Sequence, residues 1–337
     1  MPGTLGLTRE LITPVLRELV NRLDPMLRSV VSYHFGWSDE HGVPANSNAG
    51  IAIRPSLVFL AVEAAGGRAE RAIPGAAAVE LVHNFSLVHD DVMGRDECRR
   101  HRPTLWAVWG DPVAVLAGDA LLALAHEAIL DSDSPHAGAA HTVLAVATRE
   151  LIRGQSAGTA FERRDDVRLG ERLEMAWGKT AALMSASAVI GAKFAGAPTP
   201  VCDALGVFGG SVGLASQLID DLSGIWGQPE VTGKPVYSDL RSCKKSLPVT
   251  WAIECGGAAG RELASWMADR AQAARSTDDE LHDIAGLVER AGGRAWAAQE
   301  AHRRAALAAR ALAGVRIEPG PACELHALAN YLLGRQA

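Results

Sequence analysis

The chain has 337 residues, of which 48% are hydrophobic and 21% charged, with a formal net charge of −6. That composition excludes a disordered or fibrous polymer and describes a globular protein long enough to bury a substantial core. The negative balance argues against nucleic acid as the main partner. Five cysteines (Cys98, Cys202, Cys243, Cys255 and Cys323) are scattered without a CxxC pair. They read as reduced thiols, with neither a disulfide framework nor a zinc site, and place the protein in the cytoplasm. The N-terminus lacks a basic region followed by a long apolar one, so no signal peptide is expected. No uninterrupted apolar run approaches the roughly 20 residues of a transmembrane segment.

In chain order, apolar residues recur at three- and four-residue intervals, the helix period, over residues 7–35, 54–67, 76–92, 111–131, 141–158 and 172–196. Each run is closed by Gly, Pro or a polar cluster, which is the expected helix punctuation. Aromatic residues are only 5%, and no alternating strand pattern stands out. Two long polar loops, 36–50 and 227–246, interrupt the pattern, and such loops in helical folds are more often functional than idle. The reading is an all-α protein, a single large helical bundle forming one domain over residues 1–337.

Two carboxylate pairs interrupt this apolar pattern. In "HNFSLVHDDVMGRDE", Asp90 and Asp91 end a helix-like run, with His83 two turns earlier on the side of Asp90. The i+4 position, which shares the face of Asp90, holds Gly94; Asp96 would lie about 240° away if the helix continued, and could help only if it ended near Gly94. In "SQLIDDLSGIWGQ", Asp220 and Asp221 follow Gln217, and the i+4 position is again glycine, Gly224. One acidic pair at a helix end is usually a solvated face, but two such pairs embedded in apolar helices suit magnesium, which takes oxygen ligands and bridges them to phosphate.

Cations accompany the carboxylates. "DECRRHRPT" supplies Arg99 and Arg100, "WGKTAAL" supplies Lys179 and Thr180, and the late loop supplies Lys234, Lys244 and Lys245. Arginine forks and lysine point charges are the usual means of holding phosphate. Lys179 interrupts an otherwise apolar helix, where a bare ammonium would be costly.

The stretches "IRPSLVFLAVEAAGG", "HNFSLVHDDVM", "RDECRRHRPTLW", "GQSA", "GKTAALMSASAVIGA", "QLIDDLSGIWG" and "TGKPVYSDLRSCKKSLPV" together resemble the trans-isoprenyl diphosphate synthases, the polyprenyl synthetase family, in order and spacing along nearly the whole chain. The resemblance implies an isoprenoid-synthase-like all-α fold around a deep central cavity, a homodimer, and three Mg2+ ions between two aspartate-rich motifs. It also implies a reaction begun by loss of diphosphate from an allylic prenyl diphosphate, followed by condensation with isopentenyl diphosphate. By motif position, Asp90, Asp91 and Asp220, with Asp221 close by, would bear on metal. Arg99, Lys179, Gln217 and Lys234 would hold the allylic diphosphate, with Thr180 and Lys244 near them, and Arg54, His83 and Arg100 the second diphosphate. Phe85 and Ser86, five and four residues before Asp90, would bound the prenyl tail and limit products to C15–C20. Such chemistry needs the leaving charge neutralised and a water-poor apolar cavity for the carbocation.

The chain also departs from the family pattern. Ile51 stands where a lysine contacting isopentenyl diphosphate is expected, Gly94 and Gly158 replace acids, and Gln228 replaces another. Three functions fit: chain elongation, a family-derived terpene cyclase that adds no isopentenyl unit, and a modulatory, catalytically impaired subunit. The cyclase reading lacks the Asn-Asp-x-x-Ser-x-x-x-Glu motif of ordinary cyclases, and the surviving lysines and aspartate pairs count against a dead subunit.

Overall fold

The structure, a computed structural model, describes residues 3–45, 52–229 and 235–334. The described residues are overwhelmingly helical, as the periodicity predicts. Their strands amount to one two-residue hairpin, Cys98–Arg99 against Arg102–Pro103, and a lone bridge joins Ser38 to Pro44. The polypeptide forms two compact units.

The first unit comprises Met1–Arg149, Leu183–Gly206 and Gly314–Leu325. Its N-terminal run is two helices, α1 (Gly3–Val20) and α2 (Pro25–His34), separated where Asp24 caps the amides of Met26 and Leu27 and Pro25 opens the next turn. Helix α3 (Ile53–Ala64) buries nine of its twelve residues, as befits a helix apolar on all sides. Helix α4 (Ile73–Gly94) begins with Pro74 in its first turn and ends on Arg95, which takes a left-handed conformation (φ 55°). At about 33 Å, α4 carries His83 to Asp91 along the second half of its length. It packs most extensively on α6 (Asp111–Leu130), which follows the short α5 (Leu105–Trp109). Helix α9 (Ala182–Phe194) lies tight on α3, because a Cβ at Gly191 would strike the Val58 carbonyl.

The second unit comprises Glu150–Ala182, Val207–Ala313 and His326–Ala337. It holds the end of α7 (Ala137–Phe161), α8 (Leu169–Ala176), a π-helical turn (Trp177–Ala181) and most of α10 (Thr199–Trp226). Beyond them lie α11 (Ser238–Arg241), α12 (Leu247–Cys255), α13 (Gly257–Ala268), α14 (Arg270–Arg275), α15 (Asp278–Arg290) and α16 (Gly293–Ala313), and the end of α17 (Pro319–Leu333). Leu214, Leu218 and Leu222 of α10 pack on Ala176, Ala181, Leu247, Ala297 and Ala301, and a second cluster joins Ile225 to Leu240, Val249, Leu263, Leu281 and Val288. These two clusters fix the end of α10, and with it Asp220 and Asp221.

Two outcomes differ from the sequence reading. The run 172–196 is not regular α-helix throughout, because a π turn replaces the α pattern over Trp177–Ala181. Two helices, α6 and α10, are also long and apolar enough by length and composition to cross a membrane, a property masked in the sequence by isolated polar residues such as Asp119 and His126. Within the fold, 72% of the apolar window of α10 is buried, against 44% for α6. All five cysteines are free.

Candidate active site

In the first unit the end of α4 presents His83, Ser86 and Asp90 as a half-buried stripe, spaced so that all three share one face. Phe85 does not join them. It is 5% exposed and its ring meets His89 edge-on at 4.9 Å, while His89 Nε2 lies 3.1 Å from the Val115 carbonyl of α6. Ser86 Oγ donates to the His83 carbonyl.

Asp91 is buried and takes a two-pronged contact from Arg99, 2.7 Å from Nε and 2.6 Å from Nη2. Burial pushes its carboxyl pKa up to about 6, against the pull of Arg99. The guanidinium also lies 4.0 Å from Asp90 and 3.8 Å from Asp96. Asp96 reaches this group because α4 ends at Gly94 and the chain turns back, with the Asp96 amide donating to the Asp91 carbonyl. That is the helix ending on which its participation depends.

Arg99 is delivered by the small hairpin. Its two turn residues, Arg100 and His101, both have positive φ (52° and 63°), a strained choice for residues with a Cβ. Arg102 anchors the hairpin: it lies 4.0 Å over the Tyr33 ring and donates to the carbonyls of Tyr33 and Ser38. Beside them His34 Nε2 sits 3.0 Å from Asn84 Oδ1, and Asn84 donates to Glu80. Burial lowers the His34 pKa to about 4, and burial together with the charges of Arg54 and Arg100 holds His83 well below the ordinary imidazole range. Burial also lowers the pKa of Arg100. His34 among arginines gives a pocket edge with a positive surplus, suited to an anion. Tyr33, His34, Asp91, Arg99, Arg100 and Thr104 line this pocket.

In the second unit the π turn presents Lys179 and Thr180. Thr180 Oγ1 donates to Gln217 Oε1 (2.8 Å), and Gln217 Nε2 donates to Asp221 Oδ1 (3.0 Å). Asp220 is exposed and Asp221 has no exposed surface. Asp221 corrects one expectation. It is engaged as a buried structural anion, with Oδ2 accepting from Arg172 Nη2 (3.0 Å) and the Leu247 amide (2.9 Å), and Oδ1 accepting from Gln217 and from Lys244 Nζ (3.3 Å). Four donors fill the acceptor capacity of a carboxylate and leave little for a metal. Burial would raise its pKa, but Arg172 and Lys244 outweigh burial and hold it below the usual range. Lys244 and Lys245 are both engaged: Lys244 also meets Asp239 at 2.7 Å, and Lys245 Nζ donates to the Phe161 carbonyl.

Arg172 and Asp239 were not singled out in the sequence. Arg172 stands between Glu171 and Glu174 in "GERLEM", which reads as a solvated helix face and gives no signal of a buried role. Nothing in "SDLR" marks Asp239. Ile51 and Lys234 lie outside the described residues. As for magnesium, the carboxylates of half-buried Asp90 and exposed Asp220 are the kind of oxygen donor that ion takes. Among the described residues no three His, Cys, Asp or Glu side chains converge as a ready-made metal cage.

Long apolar helices that end in carboxylates beside fixed cations define an all-α protein that handles an anionic, phosphorylated small molecule. The chain belongs to the polyprenyl synthetase family, whose model matches residues 43–284. It is 62% identical over 333 residues to a (2E,6E)-farnesyl diphosphate synthase of Mycobacterium tuberculosis, covering 99% of this chain and 93% of that protein. It is 42% identical to a geranylgeranyl diphosphate synthase of the same organism, over 83% of this chain and 79% of that protein. Among solved structures, a polyprenyl synthetase from Streptomyces coelicolor superposes with a TM-score of 0.94 at 46% identity, over 98% of both chains.

Proposed function

We propose that the protein is a prenyltransferase of isoprenoid biosynthesis that condenses an allylic prenyl diphosphate with isopentenyl diphosphate, giving a short-chain, C15–C20, polyprenyl diphosphate. The observation that carries this reading is the full-length, 62% likeness to a farnesyl diphosphate synthase, joined to a sequence that keeps Asp90, Asp220, Lys179 and the arginines of the hairpin. The cyclase and modulatory-subunit readings gain no support from these relatives. The likeness along almost the whole chain favours residues 1–337 working as one synthase domain.

Asp90 and Asp220, with Asp91 beside the first, would hold Mg2+, three ions by the family pattern; bound, the metal neutralises the charge of the departing diphosphate. Arg99, Lys179, Gln217, Thr180, Lys234 and Lys244 hold the allylic diphosphate, and Arg54, His83 and Arg100 the diphosphate of isopentenyl diphosphate. Ser86 shares a face with Asp90 and flanks the prenyl chain, with Phe85 behind it. The protein works as a cytoplasmic homodimer, a reading supported by the apolar side chains that α6 and α7 leave on the surface: Val115, Leu116, Leu130 and Val146, each at least 40% exposed.

The test is incubation with magnesium and each allylic diphosphate, with and without isopentenyl diphosphate, followed by analysis of dephosphorylated alcohols and extracted hydrocarbons. Elongated alcohols that require isopentenyl diphosphate are expected, and hydrocarbon formed without it would overturn the reading. Asp90→Ala and Asp220→Ala should each lower turnover about a hundredfold or more, the scale of losing a fixed electrostatic partner at the leaving group. Undiminished turnover in both refutes the metal assignment.

A further inference from the structure

Gly94 and Gly224 look alike in the sequence, each standing four residues after the first aspartate of its pair, yet the structure separates them. A Cβ added at Gly94 would find only Asp96, at an ordinary 3.5 Å. A Cβ added at Gly224 would overlap the carboxylate of Asp239, 2.7 Å from Oδ1 and closer still to Oδ2. Asp239 is 6% exposed and sits at the start of α11, which is tied to the end of α10: the Tyr237 amide donates to the Ile225 carbonyl (3.3 Å) and the Ser238 hydroxyl to the Gly224 carbonyl (3.4 Å). Asp239 Oδ2 then accepts from Lys244 Nζ at 2.7 Å, and the same ammonium lies 3.3 Å from Asp221 Oδ1. The Lys244 amide donates to the Asp239 carbonyl (2.8 Å), closing the loop on itself.

We propose that Asp239 is a positioning residue for the reaction: seated on Gly224, its carboxylate clamps the Lys244 ammonium against Asp221, and Gly224 is the slot that admits it. The proposal rests on the reading above that Lys244 holds substrate diphosphate. A lysine is a point charge on a flexible four-carbon stem, and this side chain is 44% exposed. Without its two carboxylates it would sample solvent and have to be ordered anew for each substrate; clamped, it is a preorganised cation. Burial opposes its charge, but Asp221 and Asp239 outweigh burial and raise its pKa above the ordinary lysine value. Glycine at 224 is therefore not a vacated ligand position. The carboxylate that the motif lacks comes from the neighbouring loop, and restoring an aspartate at 224 would push two like charges into one space.

Four variants test this: Asp239→Asn, Asp239→Ala, Gly224→Asp and the double variant Gly224→Asp with Asp239→Ala. For each, the Michaelis constant and turnover with the allylic diphosphate, the calorimetric affinity for inorganic pyrophosphate in magnesium, and the melting temperature are measured. Asp239→Asn keeps size and loses charge, so both the Michaelis constant and the pyrophosphate dissociation constant should rise about tenfold, as expected for a weakened charge-assisted contact, at a nearly unchanged melting temperature. Gly224→Asp should weaken pyrophosphate binding at least as much. The double variant, with its carboxylate moved to position 224, should return to within about threefold of the parent. Parental pyrophosphate affinity in Asp239→Asn, or a double variant no tighter than Gly224→Asp, overturns the proposal. If Gly224→Asp does not fold, Asp239→Asn decides alone. A parent protein that fails to condense substrates defeats the functional reading, whereas an active parent with an unaffected Asp239→Asn defeats only this inference.

Discussion

At the scale of single residues, adjacent side chains on α4 have different surroundings. Ser86 is about 40° round the helix from Asp90, whereas Phe85 is about 140° away, so the sequence reading that set both beside the prenyl chain joined two faces. Phe85 now has two candidate duties, bounding the chain and packing on His89. Phe85→Ala should lengthen the products and cost about 3–5 kcal/mol of stability. Product lengths by chromatography and melting temperature separate the duties: unchanged lengths with a lower melting temperature would leave only packing. His34 gives a second prediction. Burial sets its pKa at about 4 in the fold, below the ordinary 6.5, so as pH falls the unfolded chain takes up the proton first. Stability is therefore whole above pH 6.5 and erodes from there down to about pH 4, by about 2 kcal/mol at pH 5 from this residue. Denaturant melts between pH 7.5 and 5 should show the loss, and His34→Gln should lessen it, with His83 still contributing in the same direction. A parental slope in that variant would show that another group carries the effect.

At the scale of elements, the π turn at Trp177–Ala181 governs where Lys179 lies. It is wedged against α7 by two glycines: a Cβ at Gly154 would meet the Lys179 amide, and one at Gly178 would meet the Glu150 carbonyl at 2.6 Å. Backbone lies against backbone, so neither contact can be relieved by a side-chain rotation. Gly154→Ala should destabilise by about 1–3 kcal/mol and raise the Michaelis constant for the allylic substrate, because the turn must shift and carry Lys179 with it. Steady-state kinetics beside a thermal melt check this, and a parental Michaelis constant would detach Lys179 from the turn's position. The elements differ in how legible they were. The apolar period of α3, α4, α6 and α10 is long and regular, and both aspartate pairs could be placed on helices from it. The π turn could not, since one extra residue per turn hardly disturbs an apolar run. The helices after residue 247 carry no motif, and the clusters through which they fix Asp221 depend on contacts between distant segments.

At the scale of the whole molecule, helix α6 is the least covered of the long apolar helices. In the sequence its hydrophobicity is broken by Asp119, His126 and Glu127, and its exposed Val115, Leu116 and Leu130 emerge only once the packing is known. Exposed apolar side chains of this kind are a common mark of an interface. Sedimentation equilibrium should give a mass near twice 35.5 kDa, and Leu116→Glu, which sets a charge among them, should shift the population toward monomer. A monomeric parent would return this face to solvent. The magnesium reading drew on two carboxylate pairs, each embedded in an apolar run, because a single pair at a helix end is usually a solvated face. The diversion of Asp221 into the core was not legible, since its partners come from two other segments, Arg172 from one and Lys244 and Leu247 from the other.

The hairpin that carries Arg99 is closed by Arg100 and His101, both in the left-handed region. Glycine or asparagine at position 100 would relax that backbone, a gain of the order of 1 kcal/mol, while deleting a cation beside the anion pocket. Selection for heat tolerance and selection for turnover therefore pull this position in opposite directions. A population of variants evolved under heating alone would drift away from arginine at 100, and one held to growth on its own isoprenoid supply would keep it. The residue found there after many generations would record which of the two demands had been the stronger.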